Sequence, residues 1–281
     1  MSERRETERG DAHTSSWKGP LIALLFKCLC RRPARRFFRT SGGVLFVSSR
    51  ICIKSTYRTC HAEAHAMEFV TQNTSIPVPK VYFVSEHKGR VYIVMQRIKG
   101  SNASYGWGLR SEASKQNILR QLKRMIEELR NLPPPTGVGV ANVDRGPIYD
   151  LRLPNHFSWG PFRSVAEFHR ALADGQDIAS ITDDKFQDLQ ELALFYDQPW
   201  TQSVFTHGDL SSFNILCRGD DVVGIVDWET AGWLPPYWEY VTAWNVNPRN
   251  PFWQAEVDKF LTPLPYAQKM DEIRRKYFGL F

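Results

Sequence analysis

The chain has 281 residues, 42% of them hydrophobic and 23% charged, a balance that builds a sizeable core and excludes a disordered or fibrous protein. Its formal net charge is +6, but residues 1–40 hold ten Lys/Arg against four Asp/Glu, which leaves 26 of each sign in residues 41–281. A formally neutral body does not track a phosphate backbone, so no nucleic-acid partner is expected.

Residues 1–36 read as a basic N-terminal extension, partly disordered at its polar start. The apolar run in "PLIALLFKCLC" is broken by Lys27 and is too short to span a bilayer. Glu3, Glu6 and Glu8 do not suit a secretory or mitochondrial presequence. The run reads as a short amphipathic helix packed on the domain. Arg31, Arg32, Arg35 and Arg36 leave weak contact with a membrane surface open. The five cysteines, Cys28, Cys30, Cys52, Cys60 and Cys217, form neither a disulfide framework nor a zinc pattern, so a reducing, cytoplasmic setting is expected. His61 and His65 could share a helical face, but the order is not His-Glu-x-x-His, and they read as solvated.

"FFRTSGGVLFVSSRICIKS" reads as two strands around Ser41-Gly42-Gly43. A helix is expected from Ala62 to Gln72, stopped by Pro77 and Pro79. "VYFVS" and "VYIVM" flank "EHKGR" as a hairpin, giving a small sheet of about four strands with one inserted helix. The texture then turns helical. Ile118, Leu122, Met125, Ile126 and Leu129 form an apolar stripe, Ser164 and Glu167 a capping box, and Thr182 the cap of a helix carrying Phe186, Leu189 and Ala193. A β-rich unit over 37–98 thus leads into a larger helical one over 99–281. A cleft between two such units is a favoured small-molecule site.

The stretch "FTHGDLSSFNILCRGDDVVGIVDWETAG" carries the chemistry. "NILC" and "VVGIVDW" read as strands around a turn in "RGDD". A hairpin centred on Asp220 and Asp221 sets Asn214 directly across from Asp227, about 5 Å apart at Cβ. A carboxylate and an amide oxygen at that spacing can share Mg²⁺, which prefers oxygen ligands. Asp209, on the loop entering the first strand, can reach the same cleft without binding the metal. Acids at hairpin ends usually serve solubility. Here the order His-x-Asp-x-x-x-x-Asn, with an Asp thirteen residues on after an apolar run, points to a site.

"HGDLSSFNIL" followed by "IVDWE" resembles the catalytic and metal-binding loops of the aminoglycoside phosphotransferase and choline kinase–like small-molecule kinases, relatives of the protein kinases. The resemblance spans roughly residues 37–245. It implies an α+β, two-lobed protein kinase-like fold and transfer of the γ-phosphate of ATP, with Mg²⁺, to a small-molecule hydroxyl. Carried over, Asp209 accepts the hydroxyl proton, Asn214 and Asp227 hold Mg²⁺, and His207 fixes the loop. "ICIK" matches the strand whose Lys54 contacts the α- and β-phosphates, with small Cys52 leaving room for adenine. Glu63 is the expected partner of Lys54. Glu68, the competitor, is rotated about 140° away on the helix. "VMQRIKG" resembles the linker whose backbone at Gln96, Arg97 and Ile98 binds adenine. Only Gly42-Gly43 stands where a Gly-x-Gly-x-x-Gly loop is the protein-kinase rule.

Six of nine tryptophans lie at or beyond residue 200. Trp233 and Tyr237 follow the metal-binding Asp and could wall a cationic or ring-bearing acceptor, although core packing explains most of these rings. Glu229 and Glu239 could each pair with a substrate amine or serve the fold. The alternative to a kinase is an inactive nucleotide-binding or scaffold relative. Protein-kinase activity is disfavoured, because no Ala-Pro-Glu segment follows Asp227.

Overall fold

The computed structural model describes residues 18–32, 36–150, 152–153, 158–181, 183–200, 202–245 and 251–279. Residues 1–17, Arg35 and Thr182 lie outside them. Helix α1 (Lys18–Leu29) opens the described chain. The β-branched runs that follow form β1 (Thr40–Ser41), β2 (Val44–Phe46) and β3 (Ile51–Lys54), three strands where two are expected. Ser48 is the reason: its hydroxyl accepts from the amides of Arg50 and Ile51, at 3.1 Å each, and reverses the chain before β3. Helix α2 (His61–Asn73) comes next, then the hairpin of β4 (Val81–His87) and β5 (Arg90–Gln96). Lys88 and Gly89, with φ of 51° and 70°, supply the two consecutive left-handed residues that a tight hairpin turn demands. The five strands make one antiparallel sheet in the order β1-β2-β3-β5-β4.

Strand alternation gives this sheet two different faces. Cys52, Ile93 and Met95 join the main core with Ala66, Met67 and Val70 of α2. Ile53, Tyr92 and Val94 point the other way and form a second cluster with Ile22 of α1. The expected helix packed on the domain is therefore α1, on the back of the sheet.

Strand β6 (Ser101–Asn102) leads into α3 (Glu112–Arg130), capped by Ser111. Its buried Ile118, Leu122, Ile126 and Leu129 each contribute roughly 1.5–3 kcal/mol by leaving water, and Met125 is half-buried. After β7 (Ala141–Asn142), Ser164 caps α4 (Val165–Leu172) by accepting from the Glu167 amide. Asp183 caps a 3₁₀ turn over Asp184–Phe186, so α5 (Gln187–Tyr196) begins beyond Phe186. Strands β8 (Val204–Thr206), β9 (Ile215–Arg218), β10 (Asp221–Ile225) and β11 (Gly232–Leu234) follow, then α6 (Trp238–Trp244), α7 (Gln254–Phe260) and α8 (Pro265–Phe278). Two three-stranded sheets, β10-β9-β6 and β7-β11-β8, carry the stretch between Phe205 and Gly232. No helix among the described residues is long and apolar enough to cross a membrane.

Candidate active site

The segment after β8 is held at almost every backbone group. The amides of His207 and Gly208 donate to the two carboxylate oxygens of buried Glu239, at 2.7 and 2.9 Å. Thr230 donates to the His207 carbonyl, Arg152 to that of Gly208, and Trp253 to that of Leu210. The Asp209 amide donates to Nδ1 of His207 at 3.1 Å, so the hydrogen of the ring lies on Nε2, 3.1 Å from the Val226 carbonyl. Burial holds the His207 pKa below its ordinary value, against the pull of Glu239. A neutral imidazole is thus locked between two strands. Gly208 sits at φ +80°, where a Cβ would lie 2.9 Å from the Thr230 carbonyl; only glycine fits before Asp209.

Asp209 itself is fixed by Asn214, whose Nδ2 donates to its carbonyl at 2.9 Å and to Oδ2 at 2.8 Å. Its other oxygen, Oδ1, has no partner among the described residues. Burial raises the Asp209 pKa, with Arg152 opposing and Asp227 and Asp150 assisting. Arg152 is clamped to Asp150 through Nε and a terminal nitrogen, at 2.7 and 2.8 Å.

Across the cleft, Nζ of buried Lys54 lies 2.7 Å from Glu63, 2.5 Å from Asp227 and 3.1 Å from Glu229. Burial alone would lower the Lys54 pKa, but the three carboxylates outweigh it and the pKa rises. Burial raises Glu63 to about 7 despite the ammonium beside it. At Asp227 burial loses to Lys54, and the pKa falls. Glu68 points to solvent, as the helical rotation requires. His61 and His65 are exposed and take Glu86 and Asp144.

The hairpin register differs from expectation. Asp221 pairs with Arg218 and Val222 with Cys217, so the turn centres on Gly219 and Asp220. A bulge at Val223 then shifts the register, and Gly224 pairs with Leu216 and Ile225 with Ile215. Val226 donates to the Asn214 carbonyl, which leaves Asp227 one residue past the position opposite Asn214. Asp227 adopts φ +68°, a left-handed conformation uncommon outside glycine and best tolerated by Asp and Asn. That turn of the backbone aims its carboxylate at Lys54.

Both walls meet in one cleft of about 770 Å³, lined by Lys54, Glu63, Asn214 and Asp227 together with Cys52, Met95, Gln96, Arg97 and Ile98. The amide of Gln96 is spent on Lys80 and that of Arg97 on Arg50. The amide of Ile98 has no acceptor among the described residues.

The sequence matches the profile of the phosphotransferase enzyme family, APH, over residues 33–272. The chain belongs to this family. An aminoglycoside 3'-phosphotransferase of Niallia circulans is 26% identical over 177 residues, 63% of this chain and 60% of that protein, so the chain spans about three fifths of the curated relative it matches. The fold superposes on aminoglycoside phosphotransferase APH(4)-Ia with a TM-score of 0.60 at 15% identity, covering 90% of this chain and 87% of the other. For ADP-bound APH(2'')-Ib the TM-score is 0.55 at 15% identity, over 92% and 85% of the two chains. At such identities the likeness is one of fold, and it establishes the two-lobed kinase-like α+β class.

Within this family fold, the residues expected to act together lie together: Lys54, Glu63, Gln96, Arg97, Ile98, Asn214 and Asp227 line the cleft, and Asp209 is bonded to Asn214. The expected acceptor contacts do not. Trp233 is buried against Phe205 and Phe69, ring centroids 5.0 and 6.0 Å away, and Tyr237 is buried with its hydroxyl 2.9 Å from His169. Both rings are core, because β11 and the start of α6 turn inward beneath the loop that carries Asp209. Glu229 is buried between Lys54 and Arg58, and Glu239 under the loop, so neither presents a carboxylate to a substrate amine. The Asp150–Arg152 pair had no signal in the sequence, since "DLRLP" matches no motif.

Magnesium and nucleotide, which the family resemblance implies, suit the donors present. Asp227 Oδ2 and Asn214 Oδ1 have no partner among the described residues, and both are hard oxygen atoms on the cleft. Magnesium takes such donors one or two at a time, with phosphates and water completing its shell.

Proposed function

We propose that the chain is an ATP- and magnesium-dependent cytoplasmic kinase that transfers the γ-phosphate to a hydroxyl of a small molecule. The observation that carries this reading is a cleft lined by Lys54, Glu63, Asn214 and Asp227, with Asp209 hydrogen-bonded to Asn214. Residues 37–98 would hold the nucleotide, its base in the apolar slot beside Cys52 and Met95 with the Ile98 amide as donor. Residues 99–281 would supply the base, the metal ligands and the acceptor face.

Lys54 would exchange Asp227 for phosphate oxygens while Glu63 keeps its hold. Asn214 Oδ1 and Asp227 Oδ2 would hold magnesium, which neutralises the negative charge of the phosphates. Asp209 takes the proton of the acceptor hydroxyl on Oδ1 and orients that oxygen for in-line attack on the γ-phosphorus. The hydrogen bonds that hold residues 207–210 are already made in the free protein, so positioning would be built in beforehand.

In a solved ternary complex, APH(4)-Ia holds AMP-PNP and hygromycin B. An aminoglycoside is not the acceptor we infer here. Around the catalytic loop Asp150 is spent on Arg152, Glu229 on Lys54 and Arg58, Glu239 on backbone amides, and Asp271 on Arg274 and Arg275. A polycation would find few uncommitted carboxylates there among the described residues. Incubation with Mg·ATP and a panel of sugars, amino alcohols, hydroxy acids and one aminoglycoside, read as ADP release, tests the proposal. Acceptor-dependent release that disappears in Asp209→Ala is expected. Release that survives this substitution refutes the base, and a protein whose melting does not respond to nucleotide is the scaffold instead.

A further inference from the structure

Helix α1 is apolar on two sides. Ile22, Ala23 and Phe26 pack on the back of the five-stranded sheet with Ile53, Tyr92 and Val94. On the far side Leu21, Leu24 and Leu25 remain 53%, 59% and 41% exposed, and Cys28 is exposed as well. These four recur at i, i+3, i+4 and i+7, which makes one continuous stripe turned away from the sheet. A helix that is apolar all round belongs inside a core or against a lipid phase, and here only one side has a core.

The segment that carries the stripe is cationic. Residues 18–39 contain seven Lys/Arg and no Asp or Glu, against the formal neutrality of residues 41–281. At ~100° per residue Lys18 and Lys27 fall on opposite flanks of the stripe. Beside it, a cavity of about 800 Å³ between α1 and the β4–β5 turn is lined by Pro20, Leu24, Lys27 and Lys88. Arg90 on the same wall is already bonded to Ser55, whereas Lys27 and Lys88 are exposed.

We propose that this face seats the protein on an anionic bilayer surface. Leu21, Leu24 and Leu25 enter the boundary between headgroups and acyl chains, and Lys18, Lys27 and Lys88 meet lipid phosphates from the flanks. The charge selects this occupant: an apolar stripe alone would suit many partners, but one set in a segment with no acid suits a polyanionic surface. Lys54, Cys52 and Met95 project from the opposite face of the sheet, so the docked protein keeps its cleft open.

The full chain is mixed with vesicles of phosphatidylcholine alone or of phosphatidylcholine with phosphatidylserine, and the bound fraction is read by flotation. Binding to the anionic vesicles only, weakened by added salt, is expected. Replacing Leu21, Leu24 and Leu25 together by Ser should lower the affinity at least about tenfold, and Lys27→Glu with Lys88→Glu several-fold for each charge. All five side chains are exposed, so melting temperatures should match the wild type and make any loss interpretable. Equal binding to both vesicle types, binding unchanged by the Ser substitutions, or no binding at all overturns the proposal. So does a dimer in solution that the same substitutions dissociate, since a second copy would then be the cover.

Discussion

On one wall of the cleft the loop carrying Asp209 is fixed by hydrogen bonds that run into its own backbone: Glu239 beneath, Arg152, Thr230 and Trp253 at the sides, and a neutral His207 within. On the other wall the Lys54 ammonium stands among Glu63, Asp227 and Glu229, with no backbone acceptor among the described residues. The first wall gains nothing by changing partners. The second is an ion cluster with more acids than cations, and an incoming phosphate could replace Asp227 at Lys54 if the divalent ion brought with it takes the released carboxylate. On the proposed function, a prebuilt base would face an exchangeable cation holder, and substitutions on the two walls should have different signatures.

The largest expected effect is on turnover. Asp209→Ala should reduce kcat by about 100- to 10,000-fold, the range for a positioned general base, while melting stays near the wild-type value because the backbone bonds remain. Lys54→Met should instead cost both activity and stability, roughly 3–5 kcal/mol in denaturant unfolding, since it leaves buried carboxylates without their cation. An Asp209→Ala protein that melts much earlier, or a Lys54→Met protein as stable as wild type, would erase the distinction between the walls.

How far the sequence reaches follows the same division. Lys54, Glu63, Asp209, Asn214 and Asp227 are legible because each lies in a short motif with fixed spacing, and the strand and helix around Lys54 follow from local periodicity. The hairpin register is not legible past Val222. A bulge costs one residue of count, and the left-handed Asp227 re-aims a side chain that simple antiparallel pairing would place elsewhere. Trp233 and Tyr237 are read toward the substrate, and Glu239 is left open between substrate and fold, because burial in the helical part depends on long-range packing that no local pattern encodes. Glu229 fails for a related reason: its partner Lys54 is 175 residues away.

Smaller effects sharpen the comparison. Glu239→Gln keeps the shape but offers an amide NH₂ to one of two backbone donors, and should cost about 1–3 kcal/mol in unfolding with a fall in kcat larger than any rise in KM. The double substitution Asp150→Asn with Arg152→Gln removes a buried pair without stranding a charge. Burial already holds the Asp209 pKa above the ordinary carboxylate value, and Arg152, which opposes this, outweighs Asp150. The acidic limb of the pH–rate profile should therefore move to higher pH in the double variant, because Asp209 then gains its proton more readily. A limb that moves to lower pH would show that Arg152 does not act on Asp209.

The central claim is that Asp227 passes from Lys54, its partner in the free protein, to a divalent ion brought with the nucleotide. Thermal shifts by ATP with and without magnesium, compared for wild type and Asp227→Asn, test it most directly. Magnesium should enlarge the ATP shift of the wild type, and in the variant this increment should vanish while a smaller ATP shift through Lys54 persists. An equal magnesium increment in both proteins would contradict the account.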